Sequence, residues 1–155
     1  MSFSIRQATP EDAFALARLR YEFRSSHREP SESLDEFARR CAEWMSARLD
    51  KDGAWRCWVA EGEGRLAGCV WLQLVEKIPN PTSSEPERHA YLTNFYVVES
   101  ARDGGLGARL LSAALDFCAE RGVDSVFLWP TERSRTLYLR HGFKSPDTLL
   151  ELPRR

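Results

Sequence analysis

Apolar positions alternate with period two in some stretches of the chain and recur every three to four residues in others, which divides it into strands and helices. Phe3 to Thr9 alternates apolar and polar residues and predicts a first strand. Thr9-Pro10-Glu11-Asp12 reads as a helix start, because Thr9 can cap, Pro10 suits the first helical position and the acids favour the positive end of the dipole. The helix that follows carries Phe14, Leu16, Ala17, Leu19 and Phe23 at mixed three- and four-residue spacings. Ser31 to Leu49 is more strongly amphipathic. Leu34, Phe37, Cys41, Trp44, Met45 and Arg48 line one stripe, and Ser33 with Glu36 makes a capping box.

Asp52-Gly53 ends this helical pair. Trp55, Cys57 and Val59 then alternate with Arg56 and Trp58 in a strand; Glu61-Gly62-Glu63-Gly64 turns the chain, and Leu66 to Val75 returns it as a hairpin. Three prolines between Pro79 and Pro86, among Asn, Thr and Ser, predict a surface loop. Tyr91 to Val98 is apolar, β-branched and aromatic, as in a central strand. A glycine cluster precedes a helix with Leu106, Leu110, Ala113, Ala114, Phe117 and Cys118 inward, which stops near Gly122. Val126 to Trp129 predicts a strand, Ser134 to Arg140 a short helix, and Phe143 onward a final extended piece. The order β-α-α-β-β-β-α-β-α-β, without repeat or linker, is that of a mixed α/β (α+β) fold, with residues 1–155 as one domain.

Composition narrows the functional classes. The 155 residues are 43% hydrophobic and 29% charged, which suits a single folded core. With 22 basic against 23 acidic residues, no general pull toward nucleic acid or an anionic membrane is expected. No apolar run approaches the roughly 18 residues that cross a bilayer, and Met-Ser-Phe-Ser-Ile-Arg is no signal peptide, so the expected location is cytoplasmic. Cys41, Cys57, Cys69 and Cys118 form no close pair and lie among apolar residues, which predicts buried free thiols and no metal site.

The most informative segment runs from Val97 to Leu111. A buried strand enters Arg102-x-x-Gly105-x-Gly107-Ala108 and passes directly into an apolar helix. Glycines let the backbone turn sharply, and the unpaired amides at the helix start form an anion site, for which a pyrophosphate is the natural occupant. Taken alone, two glycines can equally be a plain connection. The P-loop pattern fails because no Lys-Ser or Lys-Thr follows, and the dinucleotide fingerprint fails at its third glycine, where Leu110 stands.

This strand, loop and helix resemble the acetyl-CoA-binding motif of the Gcn5-related N-acetyltransferase (GNAT) family, Arg/Gln-x-x-Gly-x-Gly/Ala, with Arg102, Gly105 and Gly107 at its three positions. Leu137-Tyr138-Leu139-Arg140-His141-Gly142-Phe143 is similar to the family's Leu-Tyr-x-x-x-Gly-Phe element. Leu92-Thr93-Asn94-Phe95-Tyr96-Val97 is similar to its central strand, and Ile5-Arg6-x-Ala8-Thr9-x-x-Asp12 to a frequent opening. The resemblance spans nearly the whole chain in the right order.

It implies a mostly antiparallel mixed sheet flanked by helices and an acetyl-CoA-dependent N-acetyltransferase acting by direct transfer to a primary amine. The amine would belong to a small molecule, an amino acid or a peptide. A non-catalytic acyl-CoA-binding or sensing module of the same fold is the alternative, and a homodimer is possible. Main-chain groups of Phe95, Tyr96 and Val97 would pair with the pantetheine arm, and Arg102 with the amides of Asp103, Gly104, Gly105, Leu106, Gly107 and Ala108 would hold the pyrophosphate. Thr131 stands seven residues before the tyrosine, where the family often has asparagine, and Thr131 and Ser134 would complete the cofactor contacts. Tyr138 is the candidate general acid for the leaving thiolate. Asp103 and Gly104 replace the basic residues many relatives carry there. Glu76, His89, Glu22 or a water chain remain open as the base. Tyr21, Phe23, Trp44, Trp71, Tyr91 and Trp129 are candidates for an aromatic acceptor pocket, in a chain with five tryptophans.

Overall fold

The computed structural model describes residues 2–82, 84 and 86–154. The chain begins with β1 (Ser4–Gln7) and passes through a 3-10 turn at Pro10–Asp12 into α1 (Ala13–Ser25) and then α2 (Leu34–Arg48). A hairpin of β2 (Trp55–Gly62) and β3 (Arg65–Glu76) follows, then β4 (Arg88–Val97). Next come α3 (Leu106–Glu120), β5 (Val126–Phe127) and α4 (Arg135–Arg140). The strands form one sheet in the order β1-β2-β3-β4-β5, antiparallel from β1 to β4 and parallel between β4 and β5. Of the loop expected between Pro79 and Pro86, residues 83 and 85 lie outside the described residues.

Local chemistry accounts for the element starts. Asp12 accepts from the Thr9 N–H at 2.8 Å, which closes the 3-10 turn ahead of α1. The same carboxylate takes a two-pronged contact from Arg6 at 2.8 and 2.9 Å, and Arg6 also reaches Glu61 at 3.0 Å. One guanidinium thus ties β1, the turn and β2 together, and it is the main reason the Asp12 carboxyl is held below its ordinary range. At α2 the Ser33 hydroxyl accepts from the Glu36 N–H at 3.2 Å, so the serine half of the expected capping box forms.

The sheet separates two apolar cores. On one side α3 and Tyr138 of α4 pack on Leu72, Leu92 and Trp58; on the other, α1 and α2 pack on Val59, Cys69, Trp71 and Tyr96. β2 is therefore covered on both faces. The expected polar position Arg56 is buried, and its guanidinium donates to the carbonyls of Lys51, Gly53 and Trp55.

Three expectations change. β5 is confined to Val126–Phe127, because only Ala90↔Val126 and Tyr91↔Phe127 pair with β4. Among the described residues the final extended piece from Phe143 joins no strand: Phe143 packs on Tyr138, and beyond it Leu150 and Leu152 are each 92% exposed. Pro146 and Pro153 in that stretch have no N–H to give to a ladder. The α2 stripe is not all core either. Met45 is buried, but it and Phe37, Cys41, Trp44 and Arg48 line an open cavity.

Candidate active site

The loop between β4 and α3 is built around two backbone sites. Asp103 (φ 70°) and Gly105 (φ 81°) are both left-handed, and Gly105 is the residue that caps α3. Among the described residues, the N–H groups from Asp103 to Ala108 donate to no main-chain carbonyl; the first bond of the helix is Arg109 N–H to the Gly105 carbonyl at 3.2 Å. Asp103, Gly104 and Gly105 are solvent-exposed. Six consecutive amides at the positive end of a 15-residue helix thus lack an internal partner. Gly107 has a separate reason to lack a side chain: a Cβ there would sit 3.3 Å from the Phe95 ring and 3.5 Å from Leu137, so the glycine lets α3, β4 and α4 close on one another.

Arg102 is engaged internally. Its Nε donates to the Val97 carbonyl at 2.8 Å and its guanidinium stacks 5.6 Å from the centre of the Tyr96 ring. The loop is thereby pinned to the end of β4. The carbonyl of Val97, expected to face a ligand, already has this donor.

β4 pairs with β5 only at Ala90 and Tyr91, so among the described residues the edge of β4 from Leu92 to Val97 has no strand on that side. Within this stretch lies a β-bulge: Cys69 pairs with Tyr96 and Trp71 with Thr93, leaving Asn94 and Phe95 opposite Val70 alone. Asn94 takes a left-handed φ of 51°, which resets the alternation so that Leu92 and Phe95 share one core while Tyr96 faces the other. The sequence carries one sign of it, an asparagine inside an apolar run.

α4 holds Tyr138 against this edge. Its ring meets Phe95 at 5.9 Å and Phe143 at 5.5 Å between centroids, and the residue is 6% exposed. Gly142 (φ 94°) reverses the chain so that the Phe143 N–H returns to the Tyr138 carbonyl at 3.1 Å, which explains the Gly-Phe pair four residues after the tyrosine. Burial pushes the phenol up to about 12, opposed by the Ser134 hydroxyl. The Ser134 and Thr131 hydroxyls lie 2.7 Å apart and close the turn before α4, with the Ser134 N–H on Thr131 Oγ1 at 3.2 Å.

Across the sheet from Tyr138, α1, α2 and the sheet face enclose an open cavity of about 710 Å³. Of the six aromatic candidates, Trp44, Trp71 and Tyr91 line it. Tyr21 lines a smaller neighbouring groove, Phe23 stacks on Tyr96 at 5.0 Å, and Trp129 is exposed, edge-on to Tyr91. Sequence reasoning missed Trp55, which alternation assigned to ordinary packing, and Arg20 and Asn94, which also line the cavity. Cys41 is partly exposed there instead of buried. Burial pushes all four thiols up, Cys69 to about 12 and Cys118 to about 11, which leaves them protonated and poor nucleophiles at neutral pH.

None of the three side chains considered as a base lines the cavity. Glu22 accepts from the Tyr96 phenol at 2.9 Å. His89 contacts Ser125 at 3.0 Å, and Glu76 is exposed beside Arg88 at the far end of β3.

Residues 16–143 match the sequence profile of the Acetyltransferase (GNAT) family. The chain is 31% identical over 144 residues to the uncharacterized N-acetyltransferase YhfO of Bacillus subtilis (strain 168), covering 91% of this chain and 89% of that one. It superposes with TM-score 0.78 on a crystal structure of a GCN5-related N-acetyltransferase from Ralstonia eutropha JMP134, at 28% identity and 99% coverage of both chains. A predicted acetyltransferase from Clostridium acetobutylicum, crystallised with acetyl-CoA, shares the fold at TM-score 0.78 and 20% identity, over 98% of this chain and 96% of that one.

Proposed function

Because this chain belongs to the Acetyltransferase (GNAT) family, we propose that it transfers the acetyl group of acetyl-CoA directly to a primary amine. The observation that carries the reading is the run of partnerless amides from Asp103 to Ala108 at the mouth of α3. Main-chain N–H groups converging at a helix start suit a diphosphate. The exposed loop admits one, and Gly105 supplies the left-handed turn that aims the amides outward. The fold relative crystallised with acetyl-CoA lends further support.

Each remaining part of the site has a role in the proposal. On the unpaired edge of β4, Phe95 and the Val97 N–H take the amide groups of the pantetheine arm, as an added strand would be taken, while the Tyr96 main chain, paired with Cys69, faces β3. Arg102 fixes the loop against Val97, and Thr131 with Ser134 fixes the start of α4. Acetyl-CoA supplies an activated thioester: the amine nitrogen bonds to the acetyl carbon, the carbon–sulfur bond breaks, and one proton passes in net from the amine to the sulfur. Tyr138 donates the proton that the sulfur receives, and a phenol held near 12 keeps that proton throughout the neutral range. The amine loses its own proton to water in the open cavity and reaches the reacting carbon through the unpaired part of the sheet.

Release of free thiol from acetyl-CoA in the presence of an amine panel tests the transfer. An amine-dependent signal is expected. Tight acetyl-CoA binding without thiol release from any amine would favour the non-catalytic binding module instead.

A further inference from the structure

The cavity holds a charge that its surroundings do not balance. Arg20 projects from α1 and is half-buried, and among the described residues its one hydrogen-bond partner is the neutral Asn94 side chain, whose Oδ1 accepts at 3.1 Å. Among the described residues no ion pair includes Arg20. Burial lowers its affinity for the proton, and Arg24 adds repulsion. Taking a guanidinium out of water without a counter-charge is costly, so such a group is most stable when an anion completes it. Other cations of the cavity are already engaged. Arg40 pairs with Glu32 and lies over the Phe37 ring, and Arg48 stacks 4.6 Å from the centre of the Trp44 ring. Glu43, the one carboxylate among the described lining residues, is exposed on α2 and pairs with none of them.

A second donor lacks a partner in the same wall: Trp71 is 2% exposed and its Nε1–H finds no acceptor. The rest of the wall is aromatic. Trp44 meets Trp55 at 5.3 Å and Trp55 meets Trp71 at 6.2 Å, all tilted or edge-on, with Tyr91 beside them. A cavity of about 710 Å³ with this lining suits a small molecule having one anionic end and one large apolar or aromatic end. The planar fork of a single arginine matches a carboxylate. Arg20 also sits beside the bulge, since Asn94 precedes Phe95, the residue that packs on Tyr138. A carboxylate held there lies close to the transfer site.

Resting on the acetyltransferase reading above, we propose that the acceptor is an α-amino acid with an aromatic or large apolar side chain, and that Arg20 is the specificity residue that binds its carboxylate. The aromatic wall takes the side chain, and the α-amine is left free to attack.

The test compares each amino acid with the amine it becomes on decarboxylation: L-tryptophan with tryptamine, L-phenylalanine with phenethylamine, L-leucine with isoamylamine. The full chain is used and thiol release from acetyl-CoA is followed. We expect at least one amino acid to exceed its partner about tenfold or more in kcat/KM. Arg20→Gln, which keeps an amide for Asn94 and removes the charge, is expected to lower that amino acid's kcat/KM about 10- to 100-fold. It should leave the decarboxylated partner within about twofold, and Arg20→Lys should restore part of the preference. The melting-temperature rise given by acetyl-CoA serves as the control and should be the same in all variants. Equal or better turnover of the decarboxylated amines overturns the proposal, as does an equal loss for both partners in Arg20→Gln. If acetyl-CoA stabilises the protein yet no pair is acetylated, the amino-acid assignment falls while the acetyl-CoA reading stands. A protein that acetyl-CoA does not stabilise overturns both.

Discussion

Tyr138 is positioned by Phe95 on one side and Phe143 on the other, and burial keeps its phenol protonated to about 12. Tyr138→Phe keeps the packing and removes only the hydroxyl. Steady-state kinetics should give a fall in kcat of about 10²- to 10⁴-fold, the usual worth of a general acid, with the acetyl-CoA melting shift retained. An unchanged kcat would remove the acid role. The sign of the pH effect follows from the same raised pKa. The proposed acid would be competent below about 12 and lost only as pH rises through that value, so this group should impose no alkaline fall in kcat up to about pH 10. Gly105 offers a second residue-level test. An alanine there meets nothing within 4 Å, but φ stays at 81°, so its cost is backbone strain of about 1 kcal/mol. Differential scanning calorimetry should place Gly105→Ala roughly 2–4 °C below the wild type. Gly104→Ala, with open space and no positive φ, should melt with the wild type.

Among the elements, the glycine-led helix α3 was the most legible in the sequence, because its start, its inward face and its stop before Gly122 each leave a local mark. The β4 bulge left a weaker one in Asn94. β5 and the extended tail were overread for the same reason: a short apolar run says that a segment can pair, and only the neighbouring strand decides whether it does. The α2 pattern likewise told which residues share a face but not what that face meets, and most of the stripe meets an open cavity. Arg20 left no sign at all, since an arginine on an amphipathic helix reads as surface until its lack of a carboxylate partner is seen. The opening motif gained a physical reason instead: Arg6 and Asp12 join β1, the first turn and, through Glu61, β2. Asp12→Asn should cost about 1 kcal/mol, discounted for the partial exposure of Arg6. The folded pKa of Asp12 is depressed, so its contribution is full above the ordinary carboxylate range and fades as pH falls through the folded value. Thermal melts of the two proteins should therefore differ at neutral pH and converge on acidification.

Across the molecule, the sheet is both scaffold and partition. Tyr138 and α3 pack on one face, the aromatic cavity opens on the other, and β4 beyond its two pairs with β5 lies between them. In the proposed transfer, carrier and acceptor would meet from opposite faces, with the diphosphate end of the carrier held outside the sheet at the mouth of α3. Melting temperature measured against acetyl-CoA and against S-acetylpantetheine, which lacks the diphosphate, tests that anchoring most directly. At about a hundred times Kd, acetyl-CoA should add roughly 2.7 kcal/mol of stability and raise the melting temperature by several degrees. S-acetylpantetheine at the same concentration should leave it nearly unmoved. Equal shifts with both compounds, or none with millimolar acetyl-CoA, would contradict the account.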